Sequence, residues 1–221
     1  MKLLPNNIAI LENDTHISKW VKESNKLDHD DYILSFIIPL LHEGDTVVDA
    51  GAFIGDHTIA YLNKVGKTGK VLAFEPNPES FECLSHNCPK AICINKGLSD
   101  SIQSLPFHTD INAGCSRITS SSTTSISLTT LDSLNLSRLN YLKLDIEGHE
   151  LEALKGAESV IFNCKPIIFL EVNKSALESN QTSPQQLEDY LNEIGYVFTA
   201  IPERGEQYDL LCFPKREHLR P

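Results

Sequence analysis

The sequence predicts an α/β protein built on an open, mostly parallel sheet, and three observations carry that reading. Short apolar stretches of strand length alternate with helix-length amphipathic segments along most of the chain, the pattern of repeated strand–helix units. Two of those stretches run into glycine turns loaded with acids, Val47-Val48-Asp49-Ala50-Gly51 and Leu142-Lys143-Leu144-Asp145-Ile146-Glu147-Gly148-His149-Glu150. A third, Val71-Leu72-Ala73-Phe74, ends in Glu75. Ligands of open α/β sheets bind beyond the carboxyl ends of the strands, where these side chains would gather.

Taken in order, Asp30 and Asp31 can open a helix with Ile33, Phe36, Ile37, Leu40 and Leu41 on one side. Pro39 must kink or shorten it and Gly44 ends it, so that it packs beneath the first strand. After the strand ending in Val47 and Val48, Gly51 and Gly55 bracket a tight turn, and 54–65 can run as a helix. Residues 78–87 read as the helix after the Glu75 strand, 91–94 as the third strand and 97–100 as a loop. The stretch 105–128 is Ser/Thr-rich and β-prone, a hairpin-like excursion rather than a helix. Within it, Asn112-Ala113-Gly114-Cys115-Ser116-Arg117 reads as a polar turn. Its functional alternative is a substrate-facing loop in which Arg117 is the only cation.

Beyond Asp145, Leu151, Leu154 and Ile161 mark the buried side of a helix. Residues 167–173 then form a buried strand on which Glu171 and Asn173 point the same way. Ser183, Pro184 and Gln186 supply an N-cap, a first-turn proline and a capping-box partner, with Leu187, Leu191 and Ile194 on one face and Gly195 as the stop. Residues 196–201 and 208–213 close the sheet as a hairpin.

The first glycine turn discriminates between two nucleoside cofactors. A G-x-G-x-x-G dinucleotide fingerprint started at Gly51 needs glycine at 53 and 56, where the chain has Phe53 and Asp56. An acid-x-Gly-x-Gly-x-Gly pattern is met at Asp49, Gly51 and Gly55 and departs only at Phe53. Asp56 would repel a pyrophosphate, whereas S-adenosylmethionine has no phosphate and carries a sulfonium and an ammonium. Glycines in such a turn let backbone approach a ligand, and Glu75 is placed to accept hydrogen bonds from both ribose hydroxyls.

In these stretches the chain resembles the FkbM family of S-adenosylmethionine-dependent methyltransferases. The resemblance rests on residues 47–55, Phe74-Glu75-Pro76-Asn77-Pro78, Gly97-Leu98-Ser99-Asp100, Leu131-Asp132-Ser133-Leu134 and the Lys-x-Asp-x-Glu-Gly-x-Glu element at 143–150, and covers most of 30–200. It implies a Rossmann-like class I methyltransferase fold, a seven-stranded mostly parallel sheet with helices on both faces. It also implies methyl transfer to a hydroxyl, commonly of a sugar or natural product. Phe53, where the family often has Asn, is the visible departure and touches one cofactor contact. The cofactor-binding set is then Asp49, Gly51, Ala52, Phe53, Gly55, Thr58, Glu75, Pro76, Leu98, Ser99, Asp100 and Asp145. Adenine is expected beside 98–100 and the methionine end beside Asp49, Gly51, Gly55 and Thr58.

The global figures fit one such domain over 29–221, with 1–28 packing on it. A chain of 221 residues, 41% hydrophobic, can bury one sizeable core. A net charge of -11 argues against a nucleic-acid partner. No apolar run approaches membrane-spanning length and Met1-Lys2-Leu3-Leu4-Pro5-Asn6 lacks a signal-peptide core, so a cytoplasmic location without a membrane partner is expected. Six scattered cysteines without a C-x-x-C pair fit a reducing compartment, and Cys83, His86 and Cys88 have poor spacing for zinc. Gly66-Lys67-Thr68 imitates the end of a P-loop, but Tyr61 stands where the first glycine belongs. His149-Glu150 imitates a zinc-protease helix, but the second histidine position is Ala153.

Methyl transfer to a poorly acidic hydroxyl needs alignment and removal of a proton. Asp145, His149 and Glu147 are the catalytic candidates: Asp145 as first choice for base, His149 as the acceptor best matched by intrinsic pKa, and Glu147 to orient either one or to bind substrate. Asp145, Glu171 and Asn173 could instead hold a hard cation such as Mg²⁺. The oxygen ligands are few, and the metal-free route is favoured. The alternatives to an O-methyltransferase acting on a small-molecule or glycan acceptor are a dinucleotide-dependent oxidoreductase or epimerase and a catalytically silent cofactor-binding scaffold.

Overall fold

The computed structural model describes residues 1–28, 31–110, 116–118, 122, 124–201 and 207–215. An antiparallel pair, β1 (Lys2–Leu3) and β2 (Ala9–Ile10), leads into α1 (Ile17–Ser24), α2 (Asp31–Ile37) and a 3₁₀ turn at Ile38–Leu40. Then come β3 (Thr46–Ala50), α3 (Asp56–Val65), β4 (Lys70–Phe74), α4 (Pro78–Asn87) and β5 (Ile92–Ile94). A second, smaller sheet is formed by β6 (Gly97–Leu98), β7 (Gln103–His108), β8 (Arg117–Ile118) and β9 (Ser125–Thr129). The remainder is a 3₁₀ turn at Asp132–Leu134, β10 (Tyr141–Leu144), α5 (Glu150–Lys155), α6 (Glu158–Cys164), β11 (Ile167–Asn173), α7 (Lys174–Ser179), α8 (Pro184–Glu193), β12 (Tyr196–Ile201) and β13 (Gln207–Pro214).

The main sheet has seven strands in the order β12-β13-β11-β10-β3-β4-β5. β11, β10, β3, β4 and β5 run parallel, and the β12–β13 hairpin pairs antiparallel to β11. The chain enters at β3, builds to one edge through β4 and β5, then crosses to β10 on the other side. Between β3 and β10 the connections leave in opposite directions, which opens a crevice at the carboxyl ends.

Strand residues alternate between two helical layers. Val48, Leu72, Phe74, Leu142, Leu144, Ile168 and Leu170 pack with Leu151, Leu154, Ile161, Leu187 and Leu191 of α5, α6 and α8. Val47, Val71, Tyr141 and Phe169 face Ile33, Leu34, Ile37, Tyr61 and Val65 of α2 and α3. Ala73 meets Cys83 and Leu84 of α4, and Ala9, Ile10 and Val21 of the N-terminal segment join the same cluster. Asn87 ties that segment down, donating to Ala9 O at 2.9 Å and accepting from Ala9 N at 2.7 Å. Among the described residues no helix is long and apolar enough to cross a membrane.

Several boundaries differ from the sequence reading for local reasons. Asp30 lies outside the described residues, and on α2 Phe36 is turned outward while Leu34 is buried in its place. α3 begins at Asp56, because Gly55 caps it in the left-handed region at φ +97°. Gly97-Leu98 forms a strand rather than a loop, paired in parallel with Leu128 and Thr129. The 151–161 helix is two helices, broken at Gly156, where a Cβ would stand 1.9 Å from Ser99 O. α7 is unforeseen; Asn173 caps it, accepting from Ala176 N at 3.2 Å. The 112–115 part of the polar turn lies outside the described residues.

Candidate active site

A cavity of about 350 Å³ opens at the carboxyl ends of β3, β4, β10 and β11, walled on one side by Phe107, Ile118, Ile126 and Leu128 of the small sheet and on another by His16 and Ile17. Its first wall is the turn after β3. Gly51 (φ +79°), Phe53 (φ +47°) and Gly55 (φ +97°) are all left-handed. A Cβ on Gly51 would stand 1.8 Å from Asp145 O, and one on Gly55 would stand 2.6 Å from Cys88 Sγ. These glycines therefore serve the chain's own close packing as well as the turn. Phe53 takes a backbone conformation that Asn accepts with less strain.

Glu75 follows β4 and is 6% exposed. Its Oε2 accepts from Phe53 N at 2.9 Å and its Oε1 from Asn77 N at 2.8 Å, which fixes the carboxyl in the cavity wall with further acceptor capacity on each oxygen. Burial pushes its pKa up to about 7, against the two backbone N–H groups that favour the carboxylate.

Below the cavity floor, Asp49 is fully buried and its Oδ2 accepts from Thr58 Oγ1 at 2.6 Å. Lys143 stands beside Asp49 in the β10–β3 register and two residues before Asp145, on the same face of the sheet. Its buried ammonium sits 3.0 Å from Asp145 Oδ2 and 3.5 Å from Asp49 Oδ1, and donates to Gly51 O at 3.4 Å. Burial disfavours that ammonium, but Asp145 and Asp49 overcome it and raise the lysine above its ordinary value. Asp145, with its side chain 34% exposed, is the open end of the trio. Burial would raise its pKa, yet the Lys143 ammonium holds it below the usual carboxylate range.

Leu144 pairs with Leu170, so Asp145 and Glu171 follow as neighbours, and Glu171 is opposite Asp209 on β13. Three acids thus stand abreast along the carboxyl edge. Burial, with Asp145 and then Glu147 nearby, pushes Glu171 well above the carboxylate range. Asp56, at the start of α3, is pushed up to about 7 by burial, with Lys143 opposing.

The loop after β10 is held from within. Glu150 Oε1 accepts from Ile146 N and Gly148 N, both at 3.1 Å, and burial pushes its pKa up to about 8. Glu147 (φ +54°) and Gly148 (φ +95°) make a left-handed pair, and Gly148 lies against α7, where a Cβ would be 2.3 Å from Ala176 O. Glu147 Oε2 accepts from Asn173 Nδ2 at 3.2 Å. His149 is 7% exposed. Its Nε2 is 3.0 Å from Ser99 Oγ and its Nδ1 3.8 Å from Glu152 Oε2, and burial lowers its pKa.

Of the residues singled out by sequence, Gly51, Phe53, Glu75, Pro76, Leu98, Asp145, Glu147 and His149 line the cavity. Asp49, Ala52, Gly55, Thr58 and Ser99 are buried outside that lining, and Asp100, also outside it, is exposed. Lys143 and His57 also line it and were not singled out as site residues; Asp56, weighed in the sequence only against a pyrophosphate, and Glu171, raised as a metal ligand, line it too. Lys143 was legible: it stands two positions before Asp145, the spacing that places both on one face of a strand. Arg117 does not line the cavity although its neighbours Ser116 and Ile118 do, as strand alternation requires. Among the described residues no group of three or more His, Cys, Asp or Glu is arranged to hold a metal ion, at Asp145 and Glu171 or at Cys83, His86 and Cys88.

Comparison with known proteins places this architecture. Residues 49–198 match the methyltransferase FkbM domain. The hexuronic acid methyltransferase AglP of Haloferax volcanii is 30% identical over 139 residues, covering 58% of this chain and 56% of that protein. Among solved structures, the methyltransferase FkbM from Methylobacillus flagellatus superposes with a TM-score of 0.58 at 20% identity over 81% of this chain and 46% of that one. A SAM-dependent O-methyltransferase from Thermotoga maritima gives 0.52 at 13% identity over 90% and 71%. The chain thus spans about half the length of AglP and of the Methylobacillus protein. The solved structures share the seven-stranded class I methyltransferase fold with this chain. Because the matched domain runs from the Asp49 strand through the Glu75 and Lys143–Glu150 elements to β12, more than half of the chain, the protein belongs to the FkbM methyltransferase family.

Proposed function

We propose that the protein is an S-adenosylmethionine-dependent O-methyltransferase acting on a hydroxyl of a sugar, glycan or glycosylated natural product. The observation that carries this reading is the pairing, across one cavity, of the anchored Glu75 carboxyl with the Lys143-held Asp145 carboxylate. The acid-lined cavity fits a cofactor bearing sulfonium and ammonium charges. Glu75 would accept the ribose hydroxyls, Pro76 and Leu98 would flank the adenine, and Gly51 and Phe53 would border the methionine end. Asp56 at the start of α3 opposes a pyrophosphate at the place where a dinucleotide would put one. The similarity to a hexuronic acid methyltransferase supports a sugar acceptor.

When bound, the cofactor supplies a methyl group already activated by its sulfonium. Asp145 would take the proton of an acceptor hydroxyl placed beside it and pass it to water. Lys143 positions Asp145 and keeps it ionised, while Glu171 and Glu147 line the acceptor side. His149, turned toward Ser99 and Glu152, braces the loop.

Transfer of label from S-adenosylmethionine to a panel of deoxyhexosides and glycan fragments tests the reading. Calorimetry on Glu75→Ala should show roughly 1.5–3 kcal/mol lost from cofactor affinity, the range for hydrogen bonds to charged groups. Tight NAD binding, or an unchanged affinity in the variant, would overturn it. Cofactor binding without transfer to any acceptor would favour a silent scaffold.

A further inference from the structure

We infer that Phe53 is a positioning residue for cofactor binding: it locks the N-terminal segment onto the glycine turn, so that His16 and Ile17 complete the wall that receives the methionine end. The inference rests on the methyl-transfer reading and deepens it, because it makes the segment before α2 part of the cofactor site. Among the described residues Phe53 is the one aromatic side chain on a left-handed backbone, at φ +47°. A bulky residue is strained there, and such strain persists only where the surroundings over-determine it. What holds Phe53 is burial. It is 8% exposed and shares one apolar cluster with Ala9, Ile10, Leu11 and Val21, against which Ile17 and Trp20 pack.

A separate set of hydrogen bonds fixes the same junction. Asn87 Nδ2 donates to Ile54 O at 2.8 Å as well as to Ala9 O, so one side chain joins the glycine turn to β2. His86 Nε2 lies 2.9 Å from Asn7 O. Within the segment, Asp14 Oδ2 accepts from Ser18 N at 2.6 Å and Ser18 Oγ from Leu11 N at 3.2 Å, with Asp14 and Ser18 both buried. The start of α1 is thereby set against β2, and its first residue, Ile17, lines the cavity together with His16 and Phe53. Phe53 has two distinct ties. Its N–H anchors Glu75 at the proposed ribose end, while its ring belongs to the cluster that carries the N-terminal segment. Exchanging the side chain alters the second tie and keeps the first.

The test is calorimetry with two probes, S-adenosylhomocysteine and 5′-methylthioadenosine. Both carry the adenine and the ribose, and only the first carries the amino-acid end, so a wall that serves the methionine end is read by the first probe alone. Ile17→Ala and Phe53→Asn should each raise the Kd of S-adenosylhomocysteine by about tenfold and that of methylthioadenosine by less than about twofold. Asn is chosen because it accepts a left-handed backbone. Phe53→Leu, which keeps an apolar side chain for the cluster, should lose only about threefold. In the double variant the loss should be no greater than in Phe53→Asn alone, since Ile17 acts through its placement by Phe53. Equal weakening of both probes, additive losses, or an unchanged affinity for S-adenosylhomocysteine would overturn the inference and leave the cofactor reading standing. Should Phe53→Asn fail to fold, Ile17→Ala, at a half-buried position, carries the contrast between the probes by itself. An unaltered protein that binds neither probe removes the cofactor reading and this inference with it.

Discussion

For His149, a candidate base by its intrinsic chemistry, we propose a positioning role instead, argued from its surroundings. Imidazole titrates in the range that suits a general base, and its place beside Asp145 invites that assignment. In the fold, however, Nε2 is taken up with Ser99 Oγ and Nδ1 lies toward Glu152, while the backbone of His149 caps α5. The ring therefore ties the 145–150 loop to the segment after β6, where the adenine is proposed to lie. Replacing it by Asn should cost one neutral hydrogen bond, about 0.5–1.5 kcal/mol. A rise of up to about tenfold in the cofactor KM is expected, with kcat and the shape of its pH profile kept. A base at this position predicts instead a fall in kcat of roughly 10²-fold or more and loss of the acidic limb of the profile. Steady-state kinetics of His149→Asn across pH 5.5–8.5 decides between them.

The elements that position these residues were mostly legible, because each depends on a local rule. Pro78–Asn87 is bounded as expected, since Asn77 caps it by accepting from Glu79 N at 3.0 Å and Pro78 opens it. Ser183 caps α8 in the same way, accepting from Gln186 N at 3.3 Å. What escaped was set by contacts between distant segments. Gly156 splits a helix because Ser99 passes against it, and nothing near Gly156 in sequence announces Ser99. Gly51 gives the sharpest case, for its turn reads as a place made for a ligand while its missing Cβ is required by Asp145 O, 94 positions later in the chain. Gly51→Ala should therefore lower stability by more than about 3 kcal/mol, combining left-handed strain with a backbone collision. Gly44→Ala is the control: at φ +86° it carries the strain, but its Cβ would meet only Thr68 Oγ1 at 3.4 Å. About 1–2 kcal/mol is expected there. Urea unfolding of both variants, read as a difference in midpoint at constant slope, separates the terms; equal losses would show that packing between β3 and β10 has no part in the choice of Gly51.

Gathering acids at one edge of a sheet has a consequence for the whole molecule. Glu75 and Asp56 are pushed up to about 7 and Glu150 up to about 8, each first by burial, from ordinary values of 4.5, 3.8 and 4.5. A carboxyl whose pKa is raised by folding binds its proton more tightly in the native state. Its favourable contribution is complete below the unfolded pKa near 4 and is lost as pH rises through the folded value. The protein should accordingly become less stable from pH 6.5 to 8.5, a window above the titration of the buried, pKa-lowered His149, which acts in the opposite sense at lower pH. At 2–4 °C per kcal/mol for a chain of this size, a fall in Tm of about 4–10 °C is expected. General repulsion in a chain of net charge -11 pushes in the same direction, so a variant must isolate the buried groups. Glu150→Gln keeps an acceptor for Ile146 N and Gly148 N and cannot ionise. Its Tm should fall less steeply than that of the unaltered protein over the same window, the gap between the two curves widening toward pH 8.5. Calorimetric scans of both proteins at four pH values measure this directly, and parallel curves would show that ionisation of Glu150 is not linked to folding.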